Sequence, residues 1–191
     1  QSSFPEYYVN HLGYGGASAE VLFEMLYKIH HYFDQEITHI IFNYGVVDCT
    51  PRTLLHHELS AVDSIFGSDR PLKEIFRRHH AEITEARGFP TYTSIDRFKS
   101  LTNGFCELGK KVKAKLCFIP IVDCQGEMKI SCPTFNKIQR PNYNEAFDEV
   151  CRMNNHAVSL STRVHVDSTE FLLIDGQHLN KKGHAEYAKA L

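Results

Sequence analysis

The stretch AKLCFIPIV, residues 114–122, decides the fold class of this 191-residue chain. It is an almost unbroken apolar run that contains branched and aromatic side chains. Strands that are covered on one face alternate polar with apolar residues, whereas continuous apolar runs of this length are typical of strands buried on both faces. The stretch therefore predicts the central strand of a sheet that carries other elements on both sides.

Further strands are predicted on either side of this run. The stretch THIIFNYG, residues 38–45, predicts a buried strand, and HAVSLS, residues 156–161, predicts a short one. The stretch YYVNHLGY, residues 7–14, predicts a strand that ends in glycine. The segment VDCTPR, residues 47–52, is expected to be a loop, because Pro51 cannot continue a sheet.

Amphipathic helices are predicted between these strands. Ser18 is placed to cap a helix in which Val21, Leu22, Met25, Leu26 and Ile29 form one apolar stripe. Ser94 is placed to cap a long helix with apolar residues at helical spacing from Ile95 to Leu108. A charged helix is expected near 71–86, another over 143–154, and a final one that Asn180 caps.

Alternating strands and helices predict an α/β fold, a three-layer α/β/α sandwich around a mainly parallel sheet. We expect residues 1–191 to form a single domain of this kind. In such sheets ligands bind at the carboxyl ends of the strands. Three stretches are predicted to lie there: GYGGAS (13–18), NYGVVDCTPR (43–52) and DGQHLNKKGH (175–184).

Composition excludes several classes of function. The 21 basic and 23 acidic side chains nearly cancel, which argues against a surface dedicated to nucleic acid. No apolar run is long enough to predict a membrane span. The six cysteines lie within apolar or helical patterns, so we expect free thiols in a reducing, cytoplasmic compartment. Neither C-x-x-C nor H-E-x-x-H occurs, so neither a metal site nor a cofactor is predicted.

The stretch near the carboxyl terminus suggests acid–base chemistry. Asp175 and His178 are three residues apart at a junction between a loop and a helix, with Gly176 allowing a tight turn. A carboxylate in this position can accept the Nδ1 proton of the imidazole and leave Nε2 free as a base. The pair is common by chance, and its alternative interpretation is two solvated residues at a helix start.

The longer strings resemble a known family. DGQHLNKKGH is similar to the last conserved block of the SGNH/GDSL hydrolases, and NHLGYGGAS is similar to their second block. IIFNYGVVDCTPR resembles their third block, in the G-x-V-D-C-x-P-R variant found in SGNH-like proteins of bacterial surface-polysaccharide gene clusters. The resemblance implies a flavodoxin-like sheet, with His178 and Asp175 serving a serine nucleophile and the Gly16 amide lining an oxyanion hole.

The chain departs from that family at its third block. Gly45 and Asp48 match the block, but Val47 stands where the family has an asparagine that stabilises the oxyanion. Valine offers no hydrogen-bond donor, and loss of one such donor typically costs about 10²–10³ in rate. Asn43 or Arg52 is a candidate replacement, and Arg52, Asp48 and Asn43 are candidate substrate-binding residues. Arg52 is alternatively expected to form a salt bridge with Asp48 or a loop carboxylate.

The family's first block, with its strand and serine, has no counterpart after Gln1. Ser2 and Ser3 are weak candidates, because a parallel crossover needs about a dozen residues. We therefore expect the first strand and the nucleophile in a segment upstream of residue 1. Other candidates are a Cys49 thiolate as nucleophile and substrate contacts from Asp123 or Glu127 in the loop after the central strand.

Together these features predict a serine esterase or O-acyltransferase that acts on acyl esters, and the resemblance favours a carbohydrate ester. The alternative is a non-catalytic carbohydrate-binding or scaffolding domain that kept the fold. A metal-dependent hydrolase that uses some of the twelve histidines is a third hypothesis. The sequence predicts neither the acyl group nor the oligomeric state.

Overall fold

Three short strands form one parallel sheet in the computed structural model, which describes residues 15–29, 37–67, 70–161, 169–173 and 178–190. The order across the described sheet is β1 (His39–Phe42), β2 (Lys115–Phe118), β3 (Ala157–Ser159). The register aligns Ile41 with Cys117 and Cys117 with Val158. The alternating pattern therefore predicts the mixed α/β class correctly.

β2 is the central strand, which confirms the prediction from residues 114–122. It is bonded on both sides, and Leu116 and Phe118 are almost completely buried. β1 is less buried than its sequence predicts: Phe42 is buried, but Ile41 keeps 51% of its surface exposed. The difference arises because β1 lies at an edge of the described sheet, so the described elements do not cover all of it.

Several helices begin where their caps predict. The Ser94 hydroxyl accepts a hydrogen bond from the Arg97 amide (3.3 Å), and Asn180 Oδ1 accepts from the amides of Lys182 (2.9 Å) and Gly183 (3.1 Å). The described part of the chain contains α1 (Ala19–Ile29), α2 (Val46–Cys49), α3 (His56–Phe66), α4 (Arg70–Arg78), α5 (His80–Ala86), α6 (Ile95–Lys111), α7 (Gly126–Ser131), α8 (Arg140–Met153) and α9 (Lys181–Ala190). A π-helical turn (Phe135–Gln139) precedes α8, and a 3₁₀ turn (Thr169–Phe171) precedes α9.

The region between β1 and α6 is more helical than predicted. The single helix expected near 71–86 is divided into α4 and α5 at His79, whose backbone leaves the helical conformation. α3 was not predicted, and the expected loop 47–52 begins inside the short helix α2. That helix ends at Thr50, which is extended because it precedes Pro51.

Two apolar clusters lie on opposite faces of β2, because successive side chains of a strand alternate. The larger cluster contains Leu116 and Phe118 with buried residues of α6 and α8. The smaller contains Cys117 with Leu160 and with Tyr187 of α9. On α1 the packed stripe includes Phe23 in place of the predicted Val21, and Phe23 contacts Phe105 edge-on (5.4 Å between centroids).

All six cysteines are free thiols, as predicted. No helix within the described ranges is long and apolar enough to cross a membrane. The strand predicted over residues 7–14 lies outside the described residues, as do Ser2 and Ser3.

Candidate functional site

Asp48 lies in the second of the three stretches that the sequence predicts at the carboxyl ends of the strands, and it is bonded to Ala19, the residue that directly follows the first stretch. Its side chain is completely buried. The Ala19 amide, at the start of α1, donates to both carboxylate oxygens at 3.0 Å. The Thr93 hydroxyl, which precedes α6, donates to Oδ1 at 2.5 Å. One carboxylate therefore fixes the start of α1, the segment after β1 and the residue before the Ser94 cap of α6 against one another.

Local sequence explains why Asp48 reaches this position. Gly45 adopts a left-handed conformation (φ 112°) that turns the chain from β1 into α2. A Cβ at Gly45 would also lie 2.7 Å from Ile121 Cδ1, so both the left-handed backbone and the close approach of Ile121 favour glycine here. One turn of helix then carries Asp48 back toward α1.

The Gly15–Gly16 turn is held next to this anchor. Gly16 has φ 73° and is exposed, and a Cβ there would meet no other atom. The Ser18 hydroxyl accepts from the Val21 amide at 3.5 Å, so Ser18 caps α1 as predicted. Gly16 therefore lies at the surface, three residues before Ala19, whose amide donates to Asp48.

Burial raises the pKa of the Asp48 carboxyl above its ordinary value, and hydrogen bonds from Thr93 and Ala19 and the charge of Arg52 oppose that shift. The carboxylate has no contact with solvent, and its oxygens are already occupied. This differs from the predicted substrate contact. In the folded chain Asp48 positions other elements, because its side chain turns inward from α2.

Arg52 does not form the expected salt bridge with Asp48 within the described part of the chain. Its Nη2 donates to the Val47 carbonyl (3.1 Å), and its guanidinium lies over the ring of Tyr92, 4.3 Å from the centroid. Its backbone amide donates to the Pro90 carbonyl (2.8 Å). Contacts with backbone and an aromatic ring therefore hold Arg52 in place, and its charge is not neutralised by an ion pair there.

The two other third-block positions are accessible. Asn43, directly after β1, is exposed, and the described residues provide no hydrogen-bond partner for its side chain. Val47 is half-buried on α2. Asn43 is thus free to meet a ligand at the carboxyl end of β1, whereas Val47 contributes only apolar surface there.

Two asparagines position the loop after β2. Asn144 Oδ1 accepts from the Ile121 amide (2.8 Å), and its Nδ2 donates to the Ile121 carbonyl (2.9 Å). Asn136 makes the same pair of bonds with Cys124, at 2.8 and 2.9 Å. Each side-chain amide replaces a backbone partner, so the amides and carbonyls of Ile121 and Cys124 are paired in this irregular loop at the carboxyl end of the central strand.

His178 is exposed and takes part in a short antiparallel contact. The Leu173 amide donates to the His178 carbonyl (2.7 Å), and Leu172 pairs with Leu179. Leu179 packs on the smaller cluster with Ile119, which comes directly after β2. His178 therefore directly precedes a residue that packs on the smaller cluster. Asp175, and with it the predicted contact between Asp175 and His178, lies outside the described residues.

The other candidate nucleophile and loop carboxylates have structural surroundings. Burial raises the pKa of the Cys49 thiol well above its ordinary value, so little thiolate is available at neutral pH. Asp123 forms an ion pair with Arg140 at the start of α8. The Glu127 side chain lies outside the described part. Among the described residues no group of three acidic, histidine or cysteine side chains is arranged to hold a metal.

Sequence reasoning missed Thr93, Tyr92, Asn136 and Asn144. The only signal for Thr93 and Tyr92 was their position just before the Ser94 cap. The two asparagines lie in or next to helical patterns, where an asparagine has no helical role to suggest a loop contact. All four residues contact partners that lie between 12 and 45 positions away in the sequence, which no local pattern reveals.

No family model matches the chain, and a search of curated proteins returned no match.

Proposed function

We propose that this chain is an esterase or O-acyltransferase of the SGNH type, built as a three-layer α/β/α sandwich, that acts on an acyl ester of a carbohydrate. The observation that carries the proposal is the buried Asp48 carboxylate, which ties the Gly16 turn to the segment after β1. This contact holds the exposed Gly16 turn beside the segment that follows β1, and we propose that the His178 imidazole meets the ester there.

The proposed chemistry divides acyl transfer into two steps. A serine hydroxyl attacks the ester carbonyl, His178 accepts its proton, and the Gly16 amide stabilises the negative oxygen. His178 then gives the proton to the departing alcohol as the ester bond breaks. Water or a sugar hydroxyl, deprotonated by His178, releases the acyl group and regenerates the serine. Asp175 orients the imidazole in both steps.

A binding domain without catalysis is the second candidate function. Val47 favours it, because an apolar side chain stands where the resembled family has an oxyanion donor. Binding without turnover and without labelling by a serine reagent would support this candidate.

The experiment measures p-nitrophenyl acetate turnover by the full-length protein, together with labelling by a fluorophosphonate. We expect one labelled serine, which peptide mapping identifies. His178→Ala is expected to lower kcat/KM at least about 10³-fold, since it removes the base. His184→Ala, an exposed histidine on α9, is the matched control and should stay within about twofold. Chelator should have no effect.

Turnover that survives in His178→Ala would end the assignment of the base. Activity lost on chelation and restored by a metal would favour the metal-dependent hydrolase. Wild-type protein that is folded, unlabelled and inactive toward a panel of acetylated sugars would favour the binding domain.

A further inference from the structure

Tyr92 is covered on both faces by cationic or cation-forming groups. The imidazole of His56 stacks on the ring at 3.8 Å between centroids and 14° between planes. The Arg52 guanidinium lies 4.3 Å from the same centroid. Two flat groups this close to one ring centre would overlap if they shared a face, so they lie on opposite faces. We call this arrangement the Arg52 stack: Arg52, Tyr92 and His56.

The stack holds a guanidinium whose donors are mostly unused. A guanidinium carries five N–H donors, and within the described residues only Nη2 has an acceptor, the Val47 carbonyl. Nε is buried and has no hydrogen-bond partner there. A buried donor without an acceptor is unfavourable, and more so on a charged group. Because Nε is closed off from solvent, the donors of Arg52 that another molecule can reach are those of Nη1, which forms no hydrogen bond within the described residues.

Acidic side chains on neighbouring segments are engaged elsewhere. Glu58, on α3, accepts from the Leu55 amide (2.7 Å) and pairs with Arg87 (2.5 Å). Asp48 is bound by Ala19 and Thr93, and Asp123 pairs with Arg140. Asp48 acts on Arg52 only through its charge, which partly offsets the cation. None of these three carboxylates supplies the acceptor that Arg52 lacks.

We propose that the Arg52 stack binds an oxyanion of the substrate, a carboxylate or a phosphate. Arginine forms paired charge-assisted hydrogen bonds with such groups, and stacking on an aromatic ring fixes the plane of the fork. Arg52 lies four residues after Asp48 and is close enough for its charge to act on the Asp48 carboxyl. The inference rests on the proposed function and narrows its substrate class to acyl esters of anionic sugars.

The test measures binding separately from turnover. Full-length His178→Ala protein is titrated with sodium glucuronate, with glucose 6-phosphate and with glucose, and binding is followed by calorimetry. We expect either glucuronate or glucose 6-phosphate to bind at least about tenfold more tightly than glucose. The two anionic sugars distinguish a carboxylate site from a phosphate site.

Variants then locate the binding. Arg52→Gln should weaken binding of the preferred anionic sugar about 10- to 100-fold and leave glucose binding unchanged. Arg52→Lys keeps the positive charge but loses the paired guanidinium donors, so we expect a loss of affinity smaller than that of Arg52→Gln. Arg97→Gln removes one exposed cation on α6 and is the matched control. Thermal melting confirms that each variant is folded.

Equal affinity for glucose and both anionic sugars, or equal losses in Arg52→Gln and Arg97→Gln, would overturn the proposal. Because binding is measured without turnover, an inactive protein that still binds an anionic sugar through Arg52 would contradict the esterase proposal alone. An active esterase whose affinity for anionic sugars is unchanged in Arg52→Gln would contradict this inference alone.

Discussion

At the scale of single residues, Asp48 shows how a motif residue acquires its role. The V-D-C string predicts a functional aspartate, and the structure places its carboxylate in the interior, bonded to Ala19 and Thr93. A carboxylate at a helix N-terminus is stabilised by free amides and by the helix dipole. The residue supports the site by positioning the glycine turn.

Replacing Asp48 by alanine is expected to lower the free energy of unfolding by about 3 kcal/mol, because two buried donors lose their acceptor. Asp96→Ala, an exposed acid in the first turn of α6, is the control and should cost less than about 1 kcal/mol. Urea denaturation at pH 7 measures both. A change in Asp48→Ala no larger than the control would contradict the anchoring role.

Asp48 also gives stability a defined dependence on pH. Burial raises its pKa in the folded state, so the folded protein holds that proton more tightly than the unfolded chain. The stability of the wild type relative to Asp48→Asn should be greatest below the unfolded pKa, about 3.9. It should fall as pH rises through the raised folded pKa. Urea midpoints of both proteins between pH 3.5 and 7 test this, and a difference that grows with pH would refute it.

At the scale of elements, the loop after β2 is shaped by the helix that follows it. Asn144 lies on α8 and Asn136 on the π-helical turn before it, and each replaces a backbone pair for one loop residue. The loop is therefore held by side chains of α8 and of the π-helical turn before it. Elements with local signals behave differently: α6 and α9 begin at their predicted caps because capping depends only on neighbouring residues.

Asn144→Ala should lower the free energy of unfolding by about 2 kcal/mol, since the amide and carbonyl of Ile121 lose their partners. Asn142→Ala, at an exposed position of α8, is the matched control, and its effect should stay within about 0.5 kcal/mol. Thermal and urea unfolding measure both variants. If esterase activity is found, Asn144→Ala should also raise KM, because the loop borders the proposed site. If the two variants were equally stable, the hydrogen bonds between Asn144 and Ile121 would not contribute to stability.

At the scale of the whole molecule, β2 divides the interior into two apolar clusters, and the thiols lie within or beside them. Burial raises the pKa of Cys124 to about 11 and those of Cys106 and Cys151 to about 12. Protonated, enclosed thiols react slowly. The reactivity of the thiols therefore measures whether the native packing is intact.

We expect the native protein to react with a thiol reagent such as iodoacetamide at pH 8 far more slowly than the protein unfolded in guanidinium, in which all six cysteines should be modified. Cys151, the one cysteine that is not fully buried, should react first. Mass spectrometry of timed samples measures the order. Rapid modification of Cys49 in the native protein would contradict this expectation and support Cys49 as the nucleophile.

The sequence by itself determined the α/β class, the central strand, the capped helices and the free thiols. These features follow from periodicity and capping, which involve residues within one or two turns of each other. Only the tertiary structure decided that Asp48 faces inward, that Asn144 holds Ile121 and that Arg52 stacks on Tyr92. Those contacts join residues 23 to 45 positions apart. Such pairs meet only when separate elements pack, so no local pattern in the chain encodes them.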